Sequence, residues 1–459
     1  MSKCVVMLWP VCVLMATSGW GQRALSLREA VDQAQRQYPT VQVSLAQVEE
    51  AAARIRLART SFLPRFDALA QANRATRNNI YGMLLQQSVI SPISGPPVFE
   101  NSTASVFGSA VGLLVDWEPF DFGQRRSRVE LAESGRRRAD LSVARTQFEA
   151  ATAAADSYLT VLAAQETVKA ATASVERSRI LLKVVDSLVE AQLRPGADAT
   201  AAQAELAVAQ GQLIRSRQAV AEAKALLAGL VGSPPDSITA VEGRFLELPN
   251  QDAFPGGHTA LEQNPLAREQ GAIVAESKAR ARTLEQAWTP RFSIQATTYA
   301  RGTGVRPDAT SLGGANGLAP TFYNWGLGLT VRFPLLDYAP IRAQQAEESA
   351  RIRTEEARYR LLMTQLETKR TQTQAALEAA RQLAELAPAQ LAAARAAEAQ
   401  AQARYKAGLA TLVEVADTQR VLAQAEIDNG LSRLNVWRAL LAQQAAEGDL
   451  APFLQLATP

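Results

Sequence analysis

Along most of the chain apolar residues recur every three or four positions, and this helical period yields to strict alternation in only a few short stretches. The clearest alternation runs from Tyr323 to Phe333. Tyr323, Trp325, Leu327, Leu329, Val331 and Phe333 are apolar, whereas Asn324, Gly326, Gly328, Thr330 and Arg332 between them are polar or small. A period of two puts the two sets on opposite faces of a strand. Val111, Leu113, Val115 and Trp117 alternate less strictly with Gly112, Leu114 and Asp116, and weaker patterns at 66–73 and 292–300 supply a preceding strand for each. The segments 74–104 and 301–321 between paired strands are rich in Asn, Gly, Pro and Ser, as exposed turns are.

The helical stretches are far longer. Ser26 is placed to cap a helix reaching about Ser61, with Pro39 a kink or restart and Pro64 its end. From Phe122 to Leu193 about 70 residues keep the helical period, a span of roughly 105 Å. Within it Val161, Val168, Val175, Leu182 and Val189 fall every seven residues, with Ala164, Ala171, Ser178 and Val185 three positions after the first four. That spacing is a coiled-coil seam with one row of small residues. Leu377, Ala380, Ala384, Ala387, Leu391 and Ala394 repeat it, and Pro388 interrupts the second copy, where it removes a helical hydrogen bond. Gly196 and Gly408 are expected to end the long helices in the left-handed conformation and form the helix-tip turns, with returning helices to about Val231 and Glu447. Hairpins this long cannot bury their own apolar rows as a globule, so they require lateral neighbours.

The chain reads as a duplication. Tyr38-Pro39 followed by Phe62-Leu63-Pro64-Arg65-Phe66 is answered by Asn264-Pro265 followed by Trp288-Thr289-Pro290-Arg291-Phe292. Trp117-Glu118-Pro119-Phe120-Asp121-Phe122-Gly123 is answered by Phe333-Pro334-Leu335-Leu336-Asp337-Tyr338-Ala339, and Leu193-Arg194-Pro195-Gly196 by Tyr405-Lys406-Ala407-Gly408. The offset between copies falls from 226 at the prolines (290 − 64) to 216 at the aspartates (337 − 121) and 212 at the glycines (408 − 196). Two structural repeats are therefore expected, 22–240 and 241–459, each with a helix, two strands, a long helix and a returning helix. A joint rich in Pro and Gly, 232–257, lies between them.

Charge and composition narrow the field. The 459 residues carry 48 basic and 45 acidic side chains, interspersed for a net +3, so no basic stripe awaits nucleic acid. Lys3, the apolar run Val5–Ala16 and the small residues Gly19 and Gly21 read as a signal peptide over 1–21, since the run is too short to span a bilayer comfortably as a retained anchor. Both cysteines, Cys4 and Cys12, fall within it, which leaves the mature chain without disulfide or thiol chemistry. Val13-Leu14-Met15 after Cys12 also argues against a lipid-modified cysteine. No later stretch reaches about 18 uninterrupted apolar residues, which excludes a helical membrane protein and leaves a soluble periplasmic protein or a β-barrel.

No catalytic, cofactor or metal constellation is present in the sequence. His258, the sole histidine, sits beside Pro255-Gly256-Gly257 as a linker side chain and has no partner ligand. Gly302-Thr303-Gly304 lacks the third glycine and helix start of a nucleotide loop, and no Gly-x-Ser-x-Gly elbow occurs. The expectation is a non-enzyme without cofactors. One acidic pair stands out: Glu414 and Asp417, three apart, share a helical face just after the second tip turn. Ordinary solvation or stabilisation of a helix N-terminus also accounts for them.

The duplicated order of a proline-ended helix, two strands, an aromatic-Asp-Phe-Gly segment and a long helix closed by a glycine turn resembles the TolC family of outer-membrane efflux proteins over about residues 22 to 450. Trp117–Gly123 looks like that family's strand-to-helix entry, though its second copy ends in Ala339-Pro340. Arg404-Tyr405-Lys406-Ala407-Gly408-Leu409-Ala410-Thr411-Leu412-Val413-Glu414-Val415 resembles its periplasmic-tip turn. The first copy departs from the pattern, with Pro195 before the glycine and no acidic residue at Ala202.

The resemblance implies a mainly α fold with a small β part. Long antiparallel helical hairpins would join a periplasmic α-helical tunnel, and four strands per chain would enter a homotrimeric, twelve-stranded barrel in the outer membrane. It further implies passive conduction, with a periplasmic adaptor protein and an inner-membrane pump as partners and outer-membrane lipid as surroundings. Four strands cannot close a barrel alone, and open edges in lipid leave backbone groups unpaired. Tyr323, Trp325, Leu327, Leu329 and Val331 would then face lipid, while Glu414 and Asp417 would form stacked acidic rings at the periplasmic pore constriction. The competing reading is a periplasmic coiled-coil adaptor or envelope scaffold whose strands make a small soluble domain. Detergent dependence of extraction separates the two.

Overall fold

The computed structural model describes residues 23–91, 94–249, 260–308, 310–334 and 337–457. The expected signal peptide, His258 and the end of the joint from 250 to 257 lie outside these described residues. The elements in chain order are β1 (Arg23–Leu25), α1 (Leu27–Gln37), α2 (Pro39–Thr60), β2 (Arg65–Thr76), β3 (Ser105–Phe120), α3 (Gln124–Glu190) and α4 (Gly196–Val231). There follow β4 (Ile238–Ala240), α5 (Pro265–Glu285), β5 (Arg291–Thr303), β6 (Phe322–Arg332), α6 (Tyr338–Lys406), α7 (Leu412–Glu447) and α8 (Ala451–Ala457). They form two compact units, each drawn from separated segments of chain.

The first unit comprises the segment ending at Val43, Val143–Ala267, and the segment from Met363 onward. Its entry is fixed locally. Ser26 accepts a hydrogen bond from the Glu29 amide (3.2 Å) and Glu29 reaches back to the Ser26 amide (3.1 Å), a reciprocal cap on α1. Beside it β1 pairs in parallel with β4, Arg23 opposite Ile238. Leu159, Val161, Leu162, Leu227, Val231, Leu434 and Leu440 build a tightly buried core around Trp437 and Phe453. The Tyr158 hydroxyl accepts from the Val241 amide at 2.8 Å, and Trp437 donates to the Glu247 carbonyl at 3.0 Å, so neither aromatic polar tip is stranded. The seam residues Val161, Ala171, Val175, Ser178 and Val185 are buried, as are Leu377, Ala384, Ala387, Leu391 and Ala394. Pro388 lies inside a continuous α6.

The second unit comprises Ser44–Ser142 and Arg268–Leu362. Its centre is an antiparallel sheet in the order β2-β3-β5-β6, in which each of the outer strands, β2 and β6, is paired on one side only among the described residues. Register assigns the faces. Phe66 lies opposite Val115, Val115 opposite Ala296, and Ala296 opposite Leu327, while the alternate row runs Leu69, Gly112, Tyr299, Asn324.

At the foot of the sheet Asp121 turns the chain from β3 into α3. Its carboxylate accepts from the Arg125 amide (2.7 Å), from Arg125 Nε (2.9 Å) and from the Gly123 amide (3.2 Å). Arg125 also donates to the Ser61 carbonyl and stacks over the Phe62 ring, which ties the end of α2 to this corner. Phe122 and Gly123 both take positive φ here, 51° and 93°. Burial works against ionisation of Asp121, but the hydrogen bonds and charge of Arg125 outweigh it and hold the carboxyl below its ordinary value.

Strand and helix ends differ modestly from the pattern-based expectation. The strands extend beyond 66–73, 111–117 and 292–300, because hairpin pairing continues past the residues whose alternation is visible. The larger difference concerns the first tip. Gly196 does not end α3 in the left-handed conformation: the residue there is Gln192, φ 59°, while Gly196 opens α4 behind Pro195 as its N-cap. Proline's fixed φ suits a helix start rather than a helix stop.

Candidate functional site at the helix tips and on the sheet

The tip sits in the first unit, where the α3–α4 and α6–α7 turns meet. Both turns close the same way. Leu193 N–H donates to the Leu188 carbonyl across left-handed Gln192, and Leu409 N–H donates to the Arg404 carbonyl across Gly408 (φ 79°). The copies therefore correspond at an offset of 216 (408 − 192). The same offset relates Asp121 to Asp337 and the left-handed C-caps Gly232 and Gly448. The fall to 212 suggested by the Pro195-Gly196 match does not hold. With the register corrected, the acidic counterpart of Glu414 in the first copy is Asp198 (414 − 216), not a missing residue at Ala202.

A clasp joins the two turns. Arg194 donates to the carbonyls of Tyr405 (2.6 Å) and Ala410 (3.2 Å) and lies over the Tyr405 ring at 4.3 Å. The Tyr405 hydroxyl donates to Asp198 at 2.9 Å. Burial first, and the Asp198 carboxylate second, push the Tyr405 phenol up to about 12, so it stays a donor at neutral pH. Beneath the clasp Leu181, Val185, Ala202, Ala401, Leu412 and Val415 form a small apolar core.

Glu414 and Asp417 lie on the first turns of α7, both partly exposed and each beside an arginine. Glu414 meets Arg404 at 2.9 Å, while Asp417 meets Arg420 at 2.9 Å, and Arg420 also holds Glu205 at 2.7 Å. The Arg420 guanidinium pKa is raised, chiefly by Glu205. Thr411 caps α7 by accepting from the Glu414 amide at 3.4 Å. Sequence reasoning missed Arg194, Asp198, Arg404 and Arg420. The constant offset of 216 was the signal that would have aligned Asp198 with Glu414.

On the sheet, the alternating residues of β6 are bare: Tyr323 is 81% exposed, Trp325 82%, Leu327 71%, Leu329 66% and Val331 53%. Val111, Leu113 and Trp117 share that face and are exposed as well. The opposite, more polar face is partly covered by the β2–β3 connection. An apolar face left open while a polar one is partly covered inverts the arrangement of a water-soluble sheet. Among the described residues no helix is long and apolar enough to cross a membrane, and no group of three His, Cys, Asp or Glu side chains is arranged to hold a metal ion.

Duplicated long hairpins, together with an open four-stranded sheet whose apolar face is exposed, define a chain of the outer-membrane channel class. The model of the outer membrane efflux protein family matches residues 30–233 and 257–448, and the chain belongs to that family. It is an outer-membrane efflux channel protein, not an enzyme. Among curated relatives it is similar to the pyoverdine export outer membrane protein OpmQ of Pseudomonas aeruginosa, 24% identical over 388 residues that cover 83% of this chain and 76% of that relative. Its fold is similar to the Campylobacter jejuni CmeC outer membrane channel (TM-score 0.72, 15% identity, covering 92% of this chain and 85% of that one). It is likewise similar to a Pseudomonas aeruginosa membrane protein (TM-score 0.74, 20% identity, 94% and 95%).

Proposed function

We propose that three copies assemble into one twelve-stranded barrel above a helical tunnel, and that the assembly conducts solutes passively from the periplasmic side to the exterior. The energy is supplied by an inner-membrane pump coupled through a periplasmic adaptor. The observation that carries this reading is the open sheet: two edges unpaired among the described residues and a bare apolar face are tolerated in lipid only when neighbouring copies close the ring. Exposed Val208, Ile214, Leu226, Leu383, Leu386 and Val421 on the long hairpins support lateral packing of the same copies. Tyr323, Trp325, Leu327, Leu329 and Val331 then meet lipid, and Asn324, Gly326, Gly328, Thr330 and Arg332 meet the lumen. The two repeats, 22–240 and 241–459, each contribute one strand pair and one helical hairpin. The relative named for pyoverdine export supports a small organic cargo.

Glu414 and Asp417 form the acidic constriction at the periplasmic tip. Arg404 and Arg420 offset part of this charge, but Arg420 is shared with Glu205, so three carboxylates face two guanidinium groups and a net cation-attracting field is left at the tip. The test is planar-bilayer recording of the purified channel. Glu414→Gln with Asp417→Asn lowers cation selectivity and relieves block by multivalent cations relative to a control neutralising the exposed Glu347 and Glu385. Equality with that control removes the acidic-ring assignment. The absence of any channel from purified membranes removes the conduit reading itself.

A further inference from the structure

From Arg65 to Gly232 and from Arg291 to Gly448 the two copies of the repeat differ in length in one place. The offset is 226 at Arg65 and Arg291 and 216 from Asp121 and Asp337 onward. The β2–β3 connection (77–104) has 28 residues and the β5–β6 connection (304–321) has 18, a difference of ten that accounts for the whole change. These extra residues are not an idle external loop. Residues 81–90 turn back over the sheet as a strap and lie on its polar face.

The anchoring is specific. Asn73 Nδ2 donates to the Met83 carbonyl at 2.5 Å, Gln71 Nε2 to the Leu85 carbonyl at 3.5 Å, and Arg301 Nη2 to the carbonyls of Tyr81 (3.0 Å) and Gly82 (3.2 Å). Gln71, Asn73 and Arg301 all project from the face that carries Leu69, Ala110, Gly112 and Tyr299. Ile90, 2% exposed, and Val89 pack there with Ala110, Leu114 and Tyr299. Gly112 makes the seat, because a Cβ there would lie 3.1 Å from Ile90 Cγ1 and 2.9 Å from Tyr299 Cβ. Inside the strap the Gln87 side chain accepts from the amides of Val89 (2.6 Å) and Ile90 (2.8 Å), which fixes its far end.

What the strap shows on its free side is uncharged. No Asp, Glu, Lys, Arg or His occurs from 78 to 99; Met83 and Leu85 are 46% and 57% exposed, and Tyr81, its ring edge-on to Phe322 at the start of β6, still exposes 43%. We propose that the three straps form a second constriction inside the barrel, neutral and apolar, with Tyr81, Met83 and Leu85 as its selectivity-determining side chains. This rests on the trimeric-barrel reading with the polar face toward the lumen. Barrels of about 8 strands are filled by their own side chains and those of about 16 hold an aqueous channel, so three straps on a twelve-strand wall occupy much of its bore. A ring of thioether and aliphatic groups with one phenol offers a hydrated ion little in exchange for its water, and apolar constrictions slow ions by dewetting. Uncharged and amphiphilic aromatic solutes cross it in preference to hydrated ions.

The test uses single cysteines placed in the full chain, whose own Cys4 and Cys12 both precede the expected cleavage site. Thr330→Cys lies on the polar face of β6, on the helix side of the strap, and Thr298→Cys on the apolar face of β5. Intact cells are treated from outside with small neutral and cationic methanethiosulfonates and with a maleimide carrying a polyethylene glycol. The expected result is labelling of the Thr330→Cys variant by the small reagents, the neutral one faster, and by the bulky one only when residues 81–90 are replaced by a short Gly-Ser link. Met83→Glu with Leu85→Glu raises the cationic rate about tenfold. Equal bulky labelling with and without the strap, or a cationic rate unmoved by the two glutamates, overturns the constriction. Labelling of the Thr298→Cys variant but not the Thr330→Cys variant instead overturns the orientation of the barrel on which it rests.

Discussion

Arg194→Ala is the sharpest perturbation of the tip, because this side chain bonds both the end of α6 and the turn that follows it. It removes charge-assisted hydrogen bonds to the Tyr405 and Ala410 carbonyls and the guanidinium stacked on the Tyr405 ring. Hydrogen bonds to a charged group contribute about 1.5–3 kcal/mol and an exposed cation–π contact about 0.5–1 kcal/mol. With discount for the partial exposure of Arg194, local opening of the tip becomes easier by about 2–3 kcal/mol, or roughly 30- to 150-fold. Amide hydrogen exchange over 401–415 of the purified protein reads this opening directly. Arg194→Lys keeps the charge but not the planar guanidinium stacked on Tyr405, and belongs between wild type and Ala.

The same region has a pH signature. The Tyr405 phenol is raised to about 12, so its contribution is fully present below pH 10, the ordinary tyrosine value, and fades as pH rises through about 12. Tyr405→Phe abolishes that alkaline dependence at the tip. Exchange at 401–415 that changes less than about threefold in Arg194→Ala refutes the clasp as the element holding the two turns together.

Three further outcomes follow from packing. Asp121→Asn leaves Arg125 buried without its counter-charge and costs about 3–5 kcal/mol in denaturant stability of the chain. Since the Asp121 carboxyl is held low, the contribution is present above the ordinary aspartate value and lost as pH falls through the depressed one, so wild type and variant begin to converge only once pH falls below about 4. Gln192→Gly relieves a left-handed non-glycine residue and stabilises by about 1 kcal/mol, whereas Gly408→Ala destabilises by a similar amount, both read from denaturant midpoints. Leu327→Arg lowers the yield of assembled particle, at about 2–4 kcal/mol for a charge in lipid, while Thr330→Arg does not; equal yields on detergent gels contradict the assigned faces.

How far the fold could be read in advance depended on the physical signal each element carries. The α1 cap was visible because a capping box is four consecutive residues, Ser26 to Glu29, and β6 because five apolar side chains alternate without a break. The first tip misled for an equally local reason. Pro195-Gly196 looks like a turn glycine, but proline starts α4 and Gln192 bears the positive φ, so the register slipped by four residues and hid Asp198. Arg404 was invisible because it reaches Glu414 across the turn, whereas Arg420 stands three residues after Asp417 on the same helix and only its second contact, to Glu205 on a different helix, lay beyond the sequence. The strap had no period at all. Its position is set by amide and guanidinium donors on β2 and β5 reaching backbone carbonyls, and only the ten-residue excess over the second copy marked it as different.

The central claim is that the open sheet is completed by identical neighbours in lipid, and the mass of the native particle tests it most directly. Outer membranes extracted in mild detergent, examined by native mass spectrometry after removal of the micelle, are expected to yield a particle of three mature chains that stays together through purification and is absent from the soluble periplasmic wash. A monodisperse single chain recovered in that wash without detergent would contradict it.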